Sequence, residues 1–347
     1  MIQSEPFSLR LSSPLPTAAG RIEERNGFVV RVQTGGRLGV GEATPLPGWT
    51  ESYDDCETAL AKAGERGERR GDSLSPDATD SLAGIDTTTP AARHGVELAA
   101  ADARARAAAE PLAAWLADGS PASSVPVNAT VGDAPVDATA AATREAVDAG
   151  YETVKVKVGA RDVAEDEARL RAVRDAAGDG TVLRADANGA LDGRTAERLV
   201  DVAADLDFAY VEQPRPATDL AGNAALRGRG VDVALDESVS AVGVDTVLDS
   251  GAADVVVCKP MALGGIDVAR DVIGAASSAG VEAIVTTTVD GAIARAGAVH
   301  LAASIPERRP CGLATGGLLR SDLRDGVAPV ADGAVAVPQG KGNIPPR

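Results

Sequence analysis

Lys155 and Lys157 stand one residue apart in "TVKVKVG" (153–159), in a chain with only five lysines against 29 arginines. Residues i and i+2 of a strand share a face, so both ammonium groups point the same way from an otherwise apolar segment. Further along come Asp186 in "RADANGAL", Glu212 in "YVEQP", Asp236 in "ALDES" and Lys259 in "VVVCKP". A charge among valines is costly to bury unless it is paired or bound to a metal. Asp186, Glu212 and Asp236 make an all-oxygen set that suits Mg2+, which keeps several waters and favours octahedral geometry. A metal and neighbouring ammonium groups disfavour protonation of a lysine and bring it toward the range of a base, and the same cations stabilise a dianionic intermediate. The predicted chemistry is abstraction of a proton α to a carboxylate. The plainer alternatives are that each carboxylate caps the helix after it, and that the lysines are merely structural partners of the acids.

These residues need elements that bring them together. From Lys157 the successive gaps to Asp186, Glu212, Asp236 and Lys259 are 29, 26, 24 and 23 residues, each the length of one strand–helix unit. From Val125 the pattern alternates as "VPVNATV", helix 136–149, "TVKVKVG", helix 162–177, "TVLRADAN", helix 193–204 and "FAYVEQP". It continues with helix 217–229, "VDVALDES", helix 243–250, "DVVVCKP", helix 265–279, "EAIVTTT", helix 291–304 and "CGLATGG". Eight strands, each but the last followed by a helix, predict an α/β fold with a closed parallel barrel whose reactive groups sit at the C-terminal strand ends. An open doubly wound sheet is the alternative, but no Gly-rich dinucleotide turn follows the first strand.

Ahead of the barrel, residues 6–44 alternate with period 2 as an antiparallel meander. Residues 51–69 and 90–117 are alanine-rich with helical spacing, and 71–90 read as a polar connection. The predicted division is an α+β domain over 1–122, the barrel over 123–322, and a C-terminal segment over 323–347 that packs back on the first domain.

Composition bounds the partners. With 51 acidic and 34 basic residues the net charge is −17, which argues against nucleic acid or an anionic membrane surface. Acidity, scarce lysine and few aromatics together point to adaptation to concentrated intracellular salt, where the Debye length shrinks to ~3 Å at 1 M. The apolar runs fall short of a membrane span, and no charged leader with an apolar stretch opens the chain. Cys56, Cys258 and Cys311 lack metal-ligand spacing and read as reduced thiols in a cytoplasm.

The five strand motifs "KVKVG", "RADANGAL", "YVEQP", "ALDES" and "VVVCKP" resemble those of the enolase superfamily, muconate-lactonising-enzyme branch, which uses a lysine or histidine base with Mg2+. The resemblance implies a modified TIM barrel, (β/α)7β, with an α+β N-terminal capping domain. It also implies Mg2+ (with Mn2+ as a substitute) on Asp186, Glu212 and Asp236. Within the branch, "GEATPLPGWTES" (41–52), "TTTVDG" (286–291) and "CGLATGGLLRSDL" (311–323) are similar to segments of the o-succinylbenzoate synthases, Cys311 departing from a frequent histidine. That similarity implies syn-dehydration of 2-succinyl-6-hydroxy-2,4-cyclohexadiene-1-carboxylate, a small carboxylate, in menaquinone biosynthesis. Lys157 would be the base and then the acid for the leaving hydroxyl. Lys155 would tune it, and Lys259 would stabilise the enediolate. Asn188, Thr287 and Thr288 are candidate substrate hydrogen-bonders. Backbone N–H groups near Gly264, Gly265 and Gly312 are candidate receivers of the succinyl carboxylate.

The rival readings are an N-succinylamino-acid racemase or dipeptide epimerase, which would use Lys157 and Lys259 on opposite faces, and a non-catalytic small-molecule-binding barrel. "GLATGG" lacks the paired aspartates that dipeptide epimerases tend to carry there. His94 and His300 fall in helical patterns and read as structural. Trp49 reads as a lid, and Glu42 and Arg25 as surface residues of the meander.

Overall fold

The computed structural model describes residues 2–17, 20–34, 36–69, 85, 87–306 and 309–345, so most of the connection predicted over 71–90 lies outside the described residues. The meander is three antiparallel strands in chain order, β1 (Ile2–Thr17), β2 (Gly20–Thr34) and β3 (Arg37–Ala43). Phe28, Val30 and Val32 alternate along β2 and are buried, against helices α1 (Tyr53–Arg69) and α2 (Pro90–Ala108). Helix α2 can lie this close because its face is alanine and because β3 offers glycine. A Cβ on Gly39 would come 1.9 Å from the Ala99 carbonyl oxygen, and one on Gly41 2.1 Å from that of Gly95.

After α3 (Leu112–Leu116) comes the strand–helix alternation. Its strands are β5 (Ala129–Val131), β6 (Thr153–Lys157), β7 (Val182–Asp186), β8 (Phe208–Glu212), β9 (Asp232–Leu235), β10 (Val255–Cys258) and β11 (Glu282–Val285). They form one parallel sheet in sequence order. Past β11, Thr286 makes a parallel bridge to Gly312, and Cys311 makes another to Val127 beside β5. Residues 311–312 thereby connect the two edges of the sheet. Val154, Val156, Leu183, Ala185, Val211 and Val233 point outward into the helix layer, leaving the alternate positions, Lys155 and Arg184 among them, to the inside.

Several details differ from the predicted elements. The predicted eighth strand, "CGLATGG", contributes only the bridges at Cys311 and Gly312 and then runs as the 3-10 helix Ala314–Leu318. "VPVNATV" is not one strand: β4 (Ser124–Pro126) turns away to pair antiparallel with β13 (Ala334–Ala336) near the tail. The helix predicted over 243–250 is preceded by another, Glu237–Val242, and Gly243 at φ +83° separates it from Val244–Asp249. The one predicted over 217–229 is confined to Leu220–Ala224, with Gly228 and Gly230 both at positive φ beyond it.

Glu42 and Arg25 are not surface residues; both are buried where the meander meets the loop and helix that follow β11. The Glu42 carboxylate accepts the N–H groups of Gly291 (2.6 Å), Ala294 (2.9 Å) and Ile293 (3.2 Å) at the start of helix Ala292–Ser304, the N-terminal donors that a helix leaves unpaired. Arg25 donates to the carbonyls of Thr44 (2.8 Å), Pro45 (3.0 Å) and Val289 (3.3 Å), tying the meander to the loop after β11.

Both histidines are buried and hydrogen-bonded. His94 Nδ1 pairs with the Glu42 carbonyl at 2.9 Å. His300 Nδ1 accepts from Ala113 N (3.1 Å), so Nε2 donates to the Asn343 carbonyl (2.7 Å). Asn343 N in turn donates to Asp102 on α2, so this knot joins the tail, the first domain and a barrel helix. Burial pushes the His300 imidazole from 6.5 down to about 4. Its neutral form therefore stabilises the fold above pH 6.5, and that contribution is lost as pH falls toward 4, a difference of about 3 kcal/mol. Urea midpoints of the protein should drop steeply over this interval, and those of His300→Gln should drop less; parallel curves would contradict the assignment.

Candidate active site

Strand register sets the site. Lys157 lies opposite Asp186 in the β6–β7 ladder, and Asp186 lies opposite Glu212 in β7–β8, so three candidate side chains form one row at the C-terminal strand ends. Lys155 sits a pleat below, opposite Arg184. Asp236 is the residue after β9, and Lys259 the residue after β10.

The lysines and acids predicted from spacing do meet. Lys155 Nζ donates to Asp186 Oδ2 (2.9 Å) and to Glu212 Oε1 and Oε2 (3.0 and 3.1 Å). Lys157 Nζ donates to Asp186 Oδ2 (2.6 Å) and Asn188 Oδ1 (2.8 Å). Lys259 Nζ donates to Asp236 Oδ2 and lies 3.3 Å from the centre of the Trp49 ring. The side chain of Lys157 is 33% exposed, against 13% for Lys155 and 11% for Lys259, so Lys157 is the ammonium a molecule entering the mouth can best reach.

Electrostatics divides the carboxylates. Burial works to raise the Asp186 carboxyl, but Lys155 and Lys157 outweigh it and hold it well below the usual range. Glu212 is pushed up to about 7 by burial and by the charge of Asp186, against the pull of Lys155. Asp236 is pushed up to about 6, chiefly by burial, with Lys259 opposing. Burial disfavours the Lys155 ammonium, yet Asp186 and Glu212 raise it well above the ordinary lysine value; this lysine stays a cation. Burial is the larger cause for both, so desolvation outweighs the nearby lysines and keeps these two acids high.

Among the described residues no three Asp, Glu, His or Cys side chains gather into an ion-holding group; the lysine ammonium groups stand between the acids instead. The donor set nevertheless fits a hard cation. Asp186, Glu212 and Asp236 are all buried at the ends of adjacent strands, and among the described residues Asp236 Oδ1 is buried without a hydrogen-bond partner, a costly state for a carboxylate oxygen.

Several contributors were not legible as site residues in the sequence. Arg184 is 2% exposed and forms the floor, donating to Pro310 O (2.7 Å) and Asn128 Oδ1 (3.3 Å), with its guanidinium 4.8 Å from the centre of the Tyr210 ring. Its inward position follows from alternation with Asp186, and that was the available signal. Gln213 Oε1 accepts from Asp236 N and Ser238 N, both at 3.1 Å, and so fixes the end of β9. Trp49, read as a lid, reaches Lys259 from the meander side. Its loop is closed by Thr50 N donating to Leu46 O (2.8 Å) and Leu46 N to Thr50 Oγ1 (2.7 Å).

The candidate substrate contacts fare unevenly. Asn188 is in the cluster, held at φ +45°. Thr287 Oγ1 pairs with Thr315 Oγ1 at 2.8 Å, while Thr288 is buried on Asp290. The glycine amides are already engaged: Gly264 N and Gly265 N both donate to Pro260 O, and Gly312 N donates to Val285 O. The corner at Gly264 and Gly265 is also filled by the Arg93–Asp267 ion pair. The N–H groups of these three glycines are therefore spent on the backbone, and a carboxylate receptor there would have to use neighbouring N–H groups.

Residues 138–343 match the family described as "Enolase C-terminal domain-like". The chain belongs to that family and is an enzyme of the enolase superfamily. It is 39% identical over 205 residues to the o-succinylbenzoate synthase of Thermobifida fusca, a match covering 58% of this chain and 62% of that protein. It is 30% identical over 351 residues to the L-Lys-D/L-Arg epimerase of Methylococcus capsulatus, covering 98% of this chain and 96% of that one. Its structure superposes on the dipeptide epimerase of Enterococcus faecalis, complexed with Mg and the dipeptide L-Leu-L-Tyr, with a TM-score of 0.90, 25% identity and coverage of 98% and 97%. Among the described residues no helix is long and apolar enough to cross a membrane.

Proposed function

We propose that the protein is an o-succinylbenzoate synthase, which removes the proton α to the carboxylate of 2-succinyl-6-hydroxy-2,4-cyclohexadiene-1-carboxylate and expels the neighbouring hydroxyl as water. The observation that carries the proton-abstraction part is the row Lys157–Asp186–Glu212, with Lys259 facing it from four strands away. In this reading residues 1–122 are the cap, 123–322 a (β/α)7β barrel closed through residues 311–312, and 323–347 the segment that returns to the cap.

Asp186, Glu212 and Asp236 would hold Mg2+. When bound, that ion supplies concentrated positive charge to the substrate carboxylate and lowers the cost of losing the adjacent proton. Lys157 Nζ takes the proton, and the C–H electron pair passes into the enediolate. The C–O bond then breaks, and the same nitrogen returns the proton to the departing oxygen, so one residue on one face accounts for syn elimination. Lys155, kept cationic by two acids, orients the Asp186 oxygen that Lys157 shares. Lys259 is held between the Asp236 carboxylate and the Trp49 ring, both of which attract its positive charge. That placement suits a fixed cation over the developing negative charge.

The second reading is an N-succinylamino-acid racemase or dipeptide epimerase, favoured by full-length likeness to epimerases. The two are separated by offering the purified protein, with Mg2+, the cyclohexadiene carboxylate, an N-succinylamino acid and a dipeptide. Formation of 2-succinylbenzoate as the fastest reaction is expected. Epimerisation of the dipeptide with no aromatic product would replace the first reading by the second.

A further inference from the structure

Beside the lysine–acid row lies a carboxylate without an assigned task. Glu237 follows Asp236 and begins the short helix Glu237–Val242. Its Oε1 accepts from Asn188 Nδ2 at 2.9 Å, and Asn188 Oδ1 accepts from Lys157 Nζ at 2.8 Å. Glu237 Oε2 is buried and, among the described residues, has no hydrogen-bond partner. The backbone of Asn188 is itself constrained, in the left-handed region at φ +45° with its N–H on Asp186 Oδ1 at 3.1 Å.

We propose that Glu237 is a positioning residue for Lys157, acting through the Asn188 amide. A carboxamide presents an oxygen acceptor at one end and an NH2 donor at the other, and the two differ little in shape. Only the oxygen can receive an ammonium. Glu237 Oε1 accepts from the Asn188 NH2, which leaves the amide oxygen facing Lys157. With that carboxylate gone, the Asn188 NH2 would lose its acceptor, the amide could swing aside, and the Lys157 nitrogen would lose one of its two anchors. Asp186, the other anchor, also serves Lys155, so it cannot fix the direction of the Lys157 nitrogen alone.

The proposal rests on Lys157 being the base, and its test separates the two. In Glu237→Leu, kcat on whichever offered substrate the parent protein turns over should fall about 10- to 100-fold, with KM and Mg2+ affinity nearly unchanged. Glu237→Gln, which still offers an amide oxygen to Asn188, should keep kcat within about threefold and guards against a leucine variant that fails to fold. The double variant Glu237→Leu/Asn188→Ala should be no slower than Asn188→Ala alone, because both changes break one chain of contacts. A readout independent of turnover is the side-chain amide NMR signal of Asn188, identified by its loss in Asn188→Ala. It should show a hydrogen-bonded NH2 in the parent and Gln variants and not in the Leu variant. Additive losses, an undiminished kcat in the Leu variant, or an amide signal indifferent to residue 237 would overturn the proposal. If no offered substrate reacts, the reading of the reaction fails while the amide signal still decides the relay.

Discussion

Lys157→Ala is expected to lower turnover by a factor of about 1,000 to 10,000, since in the proposed reaction one nitrogen both takes the α-proton and returns it to the leaving oxygen. The fold should survive. The Lys157 side chain is a third exposed, and Asp186, the buried acid it touches, keeps its bond to Lys155. Thermal melts should therefore shift by no more than about 1 kcal/mol, the scale of a partly exposed ion pair. Mg2+ titration should also be little changed, because no metal-holding oxygen is removed. Steady-state kinetics beside calorimetric metal binding reads both. A variant that turns over like the parent would remove Lys157 as the base and leave it a structural partner of Asp186.

Asp186→Asn has the second large effect and a different signature. Asp186 is 1% exposed and receives both Lys155 and Lys157. Removing its charge leaves Lys155 with Glu212 alone, and breaking a buried pair from one side costs about 3–5 kcal/mol. Magnesium affinity and turnover should fall together, by at least about 100-fold each, with a lowered melting temperature. Loss of turnover with an unchanged metal titration would exclude Asp186 from the ion's ligands.

The barrel strands and the row of charges were legible because period-2 alternation and unit-length spacing are local properties of the chain. Lys155 and Lys157 share a face in any strand, and equal βα units bring Asp186, Glu212 and Asp236 to neighbouring strand ends. What was not legible depends on contacts between distant segments. Glu42 looks like an exposed strand residue until its carboxylate is seen on the start of a helix 250 residues away, where it accepts the N–H of Ala294 across 252 positions. Arg25 is likewise explained only by carbonyls of two loops. The engagement of the glycine amides was hidden for a related reason: a glycine pair before a helix resembles an anion receptor, but the Pro260 carbonyl accepts both of their N–H groups. The division of "VPVNATV" between two sheets required the tail strand β13, which carries no mark of its partner.

The central claim is that a divalent cation and Lys157 act together on a carbon acid. It is tested most directly by following ultraviolet absorbance of the cyclohexadiene carboxylate with protein stripped of metal by EDTA and then given Mg2+. Conversion to the aromatic product should be absent after stripping, return with Mg2+, and stay absent in Lys157→Ala at any Mg2+ concentration. Conversion that persists in the stripped protein, or returns with Mg2+ in the alanine variant, would contradict the account.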